Sequence, residues 1–142
     1  MSFVDASVIV AILNSEPGYE ELEKRLAAAD GKLYVSPLVR FEATLGIARA
    51  LAGGPNASKP TQAMLGTARA LVSAFLDAVE AEEMAISADI GDLALDTAGR
   101  YGKFVGHPAD LNFGDCFAYA CAKSRSLSLI YKGEDFARTD LA

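Results

Sequence analysis

The sequence predicts an α/β fold in which helices cover a short, mostly parallel sheet. Short apolar segments typical of strands alternate with longer segments that have apolar residues at helical spacing, and this alternation favours parallel strands. The chain has 142 residues, 51% of them hydrophobic, which is enough for one core but not two. No repeat, low-complexity tract or linker divides it. We therefore expect a single α/β/α sandwich over residues 1–142.

Four segments have the length and composition of buried strands. The predicted strands are SFVD (2–5), KLYVS (32–36), EMAIS (83–87) and LSLIY (127–131). Between and around them, helical spacing predicts six helices, at about 6–13, 19–29, 38–51, 63–79, 88–102 and 114–125. Pro37 suits the first turn of the third helix. Residues 53–62, rich in Gly, Pro and Ser, and residues 103–112 are expected to be irregular.

The charge and the apolar pattern exclude some classes of protein. The net charge of −6 argues against binding nucleic acid through bulk electrostatic attraction, although carboxylates that hold metal ions would weaken this objection. Charged residues interrupt every apolar stretch before it reaches the ~18 residues of a membrane span. The first residues lack the basic region and cleavage site of a signal peptide. We expect a cytoplasmic protein with no membrane partner.

The cysteines and the one histidine do not indicate a zinc site. Cys116 and Cys121 lie in one apolar segment, and His107 is the only histidine. This pattern predicts two buried, reduced thiols rather than a ligand cluster or a disulfide framework. We interpret His107 as a surface-loop side chain; the alternative is a contact with an RNA phosphate.

Four acidic residues follow predicted strands or lie in predicted helices, and each has an ordinary local explanation. Asp5 follows the first strand, where an aspartate commonly caps a helix. Glu42 borders an apolar helix face and is readily explained as an edge residue that reaches solvent. Asp115 forms a capping pair with Asn112 at the start of an apolar helix. Asp135 follows the last strand and is equally well explained as a turn residue.

Together the four acids indicate a metal site. The carboxyl ends of parallel strands meet at one edge of a sheet, where ligands commonly bind, so all four acids can converge there. Clustered carboxylates repel one another unless a cation lies among them. A ligand set made of oxygen atoms, without His or Cys, favours Mg²⁺ or Mn²⁺ over zinc. Such ions activate water and stabilise the charge that builds up in a phosphodiester displacement.

The chain resembles the PIN-domain ribonucleases of the VapC type, the toxins of type II toxin–antitoxin modules. The resemblance covers nearly the whole length and rests on four blocks in the same order. These blocks are FVDASVIVAILNSEPG, FEATLGIARAL, LNFGDCFAYACAK and LSLIYKGEDFARTDL. The last two are the most specific.

The resemblance implies an endoribonuclease that depends on Mg²⁺ or Mn²⁺ bound by an acidic quartet. Carried over by position, the quartet is Asp5, Glu42, Asp115 and Asp135. It implies that Asp5 and Asp115 bind the metal directly, and that Glu42 and Asp135 act through water or a second ion. Three further residues are expected to hold the acids in position without binding the metal themselves: Ser7, Asn112 and Asp140.

The resemblance also implies partners. It implies a VapB-type antitoxin that blocks the site, an RNA substrate and a homodimer. Basic residues near the motifs are candidates for contact with the RNA backbone, or they form a solvated rim: Arg40, Arg100, Lys103, Lys123, Arg125 and Lys132. The loop at residues 53–62 is longer than in many relatives, which leaves its role open.

Two other hypotheses compete with that of a metal-dependent ribonuclease. An aspartyl-phosphate phosphatase would have a second Asp two residues after the nucleophile, where this chain has Ser7, and a receiver domain would have an acidic pair ahead of Asp5. The other alternative is a catalytically inactive PIN-like module that binds RNA or protein. Such a module is expected to lose acids from the quartet, whereas all four positions are filled here.

Overall fold

Four short parallel strands form the centre of the protein. The computed structural model describes all 142 residues. The strands are β1 (Ser2–Val4), β2 (Leu33–Val35), β3 (Glu82–Glu83) and β4 (Ser128–Ile130). They lie in the order β3-β2-β1-β4, and every neighbouring pair is parallel. The predicted α/β class and parallel sheet are confirmed.

Six helices flank the sheet, as expected. They are α1 (Ala6–Leu13), α2 (Tyr19–Ala28), α3 (Pro37–Leu51), α4 (Gln62–Ala78), α5 (Ala88–Tyr101) and α6 (Phe113–Ser124). Hydroxyl caps begin three of them, because the side chains of Ser36, Thr61 and Ser87 accept hydrogen bonds from the first helical turns. Each helix is too short or too polar to span a lipid bilayer.

The third strand is displaced from its predicted position. We expected residues 83–87, but β3 is Glu82–Glu83, and only these two residues pair with Tyr34 and Val35. The ladder ends early because β2 itself ends at Val35, after which Ser36 caps α3. Met84 still donates its N–H to the Val35 carbonyl at 2.8 Å and is buried, and the chain then leaves the sheet towards α5.

Helix α6 runs through the interior. Eight of its twelve residues are buried, and it packs against α5, α3 and β1. Cys116 and Cys121 lie on it as free, buried thiols, which confirms the reading made from the sequence. Because α6 is buried, its N-terminus opens into the fold beside the carboxyl end of the sheet, and Asp115 lies in its first turn.

The strand order places a topological switch point between β1 and β4. The chain moves from β1 to β2 and β3 on one side, and β4 then joins the free side of β1. In open α/β sheets the crevice at the carboxyl ends of such neighbouring strands is the usual place for a ligand. Asp5 follows β1 directly, and Asp135 begins a 3₁₀ turn (Asp135–Arg138) after β4. These two acids therefore flank the crevice.

Candidate active site

Asp5 is both a helix cap and a buried acid. Its Oδ2 accepts hydrogen bonds from the Ser7 backbone N–H at 3.1 Å and from the Ser7 hydroxyl at 2.5 Å, which caps α1. The residue is only 7% exposed. Burial raises the pKa of the Asp5 carboxyl above its usual range, and the bonds from Ser7 oppose this while Asp135 adds to it. Asp5 therefore caps α1, as the local explanation predicts, but these hydrogen bonds do not neutralise the buried charge.

Ser7 also connects α1 to the chain after β4. Its Oγ accepts a hydrogen bond from the Lys132 backbone N–H at 3.1 Å. The Asp5 N–H donates to the carbonyl of Ile130 at 3.0 Å, so the ends of β1 and β4 are joined twice. These bonds fix the spacing of the two segments that carry Asp5 and Asp135.

Asp115 is held by a reciprocal cap at the start of α6. The Asn112 side chain accepts from the Asp115 N–H at 2.9 Å, and the Asn112 N–H donates to Asp115 Oδ2 at 3.0 Å. Asp115 is 9% exposed. Burial raises the pKa of its carboxyl to about 6, against the lowering effect of the Asn112 bond, and the charges of Asp5 and Asp135 raise it further.

Glu42 reaches the site from α3. It is half-buried and forms no hydrogen bond or ion pair, so the explanation as an edge residue facing solvent describes only part of its surroundings. Burial, followed by the charges of Asp5 and Asp115, raises the pKa of its carboxyl to about 7. The carboxylate lies against the backbone of Gly114. The sequence alone indicates no role for Gly114.

Asp135 completes the group from the exposed side. The 3₁₀ turn that it begins is anchored by Phe136, which is 1% exposed and packs edge-on against Tyr131. The charge of Asp135 raises the pKa of both Asp5 and Asp115. The four acids therefore lie close enough for their charges to interact, at the carboxyl end of the sheet.

Asp140 does not join this group. Its carboxylate accepts a hydrogen bond from the Tyr119 hydroxyl at 2.5 Å and forms an ion pair with Lys123 at 2.7 Å. These two bonds hold the pKa of Asp140 below its usual range. Both partners lie on α6, so Asp140 fastens the end of the chain to the helix that begins with Asp115.

No basic side chain neutralises the four acids. Three of the six basic residues named from the sequence are paired with other acids: Arg40 with Glu83, Lys123 with Asp140 and Lys132 with Glu16. Two others, Arg100 and Arg125, lie over the rings of Tyr101 and Tyr34. Lys103 forms no ion pair and lies on the surface.

His107 organises the loop in which it lies. Its Nδ1 accepts a hydrogen bond from the Ala109 N–H at 2.9 Å, and its ring packs edge-on against Tyr101. These contacts agree with the interpretation of His107 as a loop side chain.

The donor set fits a hard divalent cation. It consists only of carboxylate oxygens, which Mg²⁺ and Mn²⁺ prefer, and three of the four acids have a raised pKa with no basic side chain to offset it. In this structure, no group of three or more Asp, Glu, His or Cys side chains is arranged closely enough to hold a metal ion. Ser7 and Asn112 each occupy one carboxylate oxygen, Oδ2 of Asp5 and Oδ2 of Asp115.

Comparison with known proteins identifies the family. Residues 2–141 match the PIN domain. A VapC ribonuclease of Rhizobium meliloti is 58% identical over 141 residues, covering 99% of this chain and 99% of that protein. A ribonuclease VapC of Mycolicibacterium smegmatis is 34% identical over 139 residues, covering 98% of this chain and 96% of that protein.

Two solved structures share the fold. VapC20 of Mycobacterium tuberculosis, described as a toxin that cleaves the sarcin–ricin loop, has a TM-score of 0.70 at 17% identity and covers 96% of this chain and 93% of its own. A chain of a toxin–antitoxin complex from Klebsiella pneumoniae has a TM-score of 0.66 at 18% identity, covering 99% and 94%. With the match over residues 2–141 and the 58% identity over the full length, these findings show that the chain belongs to the PIN-domain family, among the VapC ribonuclease toxins.

Proposed function

We propose that this protein, a single PIN domain over residues 1–142, is an endoribonuclease that hydrolyses RNA with Mg²⁺ or Mn²⁺ held by Asp5, Glu42, Asp115 and Asp135. The observation that carries the proposal is that four carboxylates share one crevice without any basic partner. Such a group is unfavourable on its own and is stabilised by a bound divalent cation. A metal bound there supplies an activated water and offsets the charge that develops on the phosphate.

Each residue then has a distinct task. Asp5 and Asp115 supply direct ligand oxygens, while Glu42 and Asp135 act through water or hold a second ion. Ser7 and Asn112 orient the two direct ligands, since each binds one oxygen of the carboxylate that it serves. Asp140 acts at longer range, because it fastens α6 through Tyr119 and Lys123.

RNA cleavage by purified, antitoxin-free protein tests the proposal. The wild type is expected to cleave in Mg²⁺ or Mn²⁺ and to stop in EDTA, and Asp5→Asn and Asp115→Asn are expected to lose at least about a hundredfold in rate. Asp77→Asn, an exposed acid on α4, is the matched control and should cleave as the wild type does. Cleavage that persists in EDTA and in both site variants would contradict the mechanism.

A catalytically inactive PIN-like module remains the competing function. It would bind RNA or protein without needing the acids, so neutralising them would leave binding intact or strengthen it by lowering the negative charge. The complete set of four acids favours an enzyme. The same cleavage assay distinguishes the two, because an inactive module cleaves no RNA under any metal condition.

The proposal includes a VapB-type antitoxin that covers the crevice, and RNA as the substrate in the cytoplasm. An acidic crevice fits an inhibitory partner that brings a basic side chain to the four carboxylates. The toxin–antitoxin complex of Klebsiella pneumoniae, which has this fold, supports the idea of such a partner.

We further propose a homodimer formed through the face between α5 and α6. An apolar groove of about 930 Å³ lies there, rimmed by Leu95, Phe104 and Phe113. Phe104 is 96% exposed, which is unusual for a phenylalanine with no partner. Asp92 and Lys103 line the same groove and are in no ion pair. The proposed dimer has a twofold axis that pairs Asp92 of one copy with Lys103 of the other.

A further inference from the structure

Gly114 lies where no side chain would fit beside Glu42. A Cβ atom built on Gly114 would lie 2.1 Å from Oε2 and 2.4 Å from Oε1 of Glu42, far inside contact distance. Gly114 is a buried residue in the first turn of α6, between the Asn112 cap and Asp115. Its φ is not positive, so the backbone conformation does not require glycine. What requires glycine is the carboxylate of Glu42.

We propose that Gly114 is a positioning residue of the active site, which leaves open the space that lets the Glu42 carboxylate lie beside Asp115. The inference rests on the proposed function, because it assigns Gly114 a part in building the metal site. Gly114 thereby contributes to the site alongside the acidic quartet, although it carries no functional group. The missing side chain determines where one of the four acids can be.

The kind of contact separates this role from a role in folding. The crowded atoms are the far end of the flexible Glu42 side chain, so an alanine at 114 is accommodated when that carboxylate swings away. Gly102 shows the opposite case, because a Cβ there would lie 2.3 Å from the backbone carbonyl oxygen of Ala98, which cannot move freely. Gly114→Ala should therefore keep the fold and change the site, whereas Gly102→Ala should disturb the fold.

The electrostatics explain why the displaced carboxylate would not simply return. Glu42 has no hydrogen bond or ion pair to hold it, and Asp5 and Asp115 repel it. Contact with the first turn of α6 is the favourable feature of its position, because a helix N-terminus attracts negative charge. An alanine at 114 removes that contact and leaves the repulsion.

Glycine at this position also has a cost for the helix. Glycine is a weaker helix former than alanine, so in the absence of the Glu42 contact an alanine should stabilise α6. Gly66 on α4 provides a matched control, since nothing lies within 4 Å of a Cβ built there. Gly66→Ala reports the ordinary gain of a helical alanine without any effect on the site.

The experiment measures Mn²⁺ binding by calorimetry and the thermal unfolding midpoint. The variants are Gly114→Ala, Glu42→Ala, Asp5→Asn, Gly66→Ala, and the double variants Gly114→Ala/Glu42→Ala and Gly114→Ala/Glu42→Asp. Gly114→Ala is expected to weaken Mn²⁺ binding by about tenfold while its metal-free Tm does not fall. In the Glu42→Ala background the same change should alter Mn²⁺ affinity by less than about twofold. Gly114→Ala/Glu42→Asp should bind Mn²⁺ more tightly than Gly114→Ala alone, because the shorter acid retracts from the new methyl group.

Two outcomes would overturn the inference. One is wild-type Mn²⁺ affinity in Gly114→Ala; the other is an equal loss of affinity whether or not Glu42 is present. A failure of the proposed function looks different, because neither Glu42→Ala nor Asp5→Asn would then affect Mn²⁺ binding. In that case the Gly114 variant has no site to disturb, and both proposals fall together.

Discussion

The hydroxyl of Ser7 donates a hydrogen bond of 2.5 Å to Oδ2 of Asp5 and accepts one of 3.1 Å from the Lys132 N–H. One small side chain thus joins the acid after β1 to the segment after β4. The two strands flank the switch point of the sheet, so this side chain links the two sides of the crevice. A residue without a hydroxyl group at this position could not serve both partners.

Ser7→Ala should weaken the site more than it weakens the fold. It removes a bond to an ionised carboxylate and leaves the Lys132 N–H without its acceptor, which costs about 1–2 kcal/mol of unfolding free energy. We expect metal affinity or cleavage rate to fall by about tenfold or more. Ser7→Thr, which keeps the hydroxyl, should retain most activity, and Ser73→Ala on exposed α4 should behave as the wild type. Equal activity in Ser7→Ala and wild type would show that Ser7 does not orient Asp5.

The metal-free protein should become less stable as the pH rises through neutrality. In the folded state the pKa of Asp115 is about 6 and that of Glu42 about 7, both above their usual values near 4. Between pH 4 and pH 8 the folded protein therefore holds more protons than the unfolded chain, and the unfolding free energy falls with pH. Because solvent screens the half-buried Glu42 carboxylate, we expect a loss on the order of a few kcal/mol in all, measured by denaturant unfolding in EDTA.

Glu42→Gln is the matched test of this pH dependence. It removes one of the three acids whose pKa is raised in the folded state, so the fall in stability above pH 6 should shrink. The ion pairs of Asp140 and Glu82 act in the opposite sense only below about pH 4, because the folded pKa of each is lowered, and so they do not mask the effect. Stability that rises from pH 5 to pH 8 would contradict the assignment.

Asp115→Asn should stabilise the metal-free protein at pH 7. The amide oxygen of asparagine can still accept the hydrogen bond from the Asn112 N–H, so the cap persists while the repelling charge is removed. Asp115→Ala loses the cap as well and should be about 1 kcal/mol less stable than Asp115→Asn. Thermal unfolding in EDTA measures both. If Asp115→Asn is less stable than the wild type, the main task of Asp115 is to cap α6.

Phe104→Glu should separate the proposed homodimer. The substitution places a charge at the rim of the apolar groove between α5 and α6. Phe104 is almost fully exposed, so the change disturbs no packing within its own chain. Sedimentation or light scattering should then report a monomer with an unchanged Tm of the isolated chain. Leu71→Glu, on the exposed side of α4, is the control and should leave the dimer intact. A wild type that is monomeric at high concentration would contradict the dimer directly.

The sequence predicts the strand and helix order because caps and apolar spacing are local signals. Asp5, Asn112 and Asp115 could be located in this way, since each stands at a helix start where its backbone partners are close in sequence. The position of β3 could not, because its end depends on where β2 stops pairing, which is a property of another segment.

Long-range contacts account for the features of the site that the sequence alone could not indicate. The predicted supporting role of Asp140 stays a prediction, and the sequence does not indicate that its partners would be Tyr119 and Lys123 of α6. Gly114 was visible as a glycine next to Asp115, yet its role depends on Glu42, which is far away in sequence. Nothing local in the sequence connects Glu42 on α3 with Gly114 on α6, so their contact could not be predicted.

Titration of Mn²⁺ into the wild type and into Asp5→Asn, Glu42→Gln, Asp115→Asn and Asp135→Asn tests the central claim most directly. We expect the wild type to bind Mn²⁺, and Asp5→Asn and Asp115→Asn to lose about a hundredfold in affinity. Smaller losses are expected for Glu42→Gln and Asp135→Asn, and none for the control Asp77→Asn. Unchanged Mn²⁺ affinity in both Asp5→Asn and Asp115→Asn would contradict the account, because the four carboxylates would then not be the metal site.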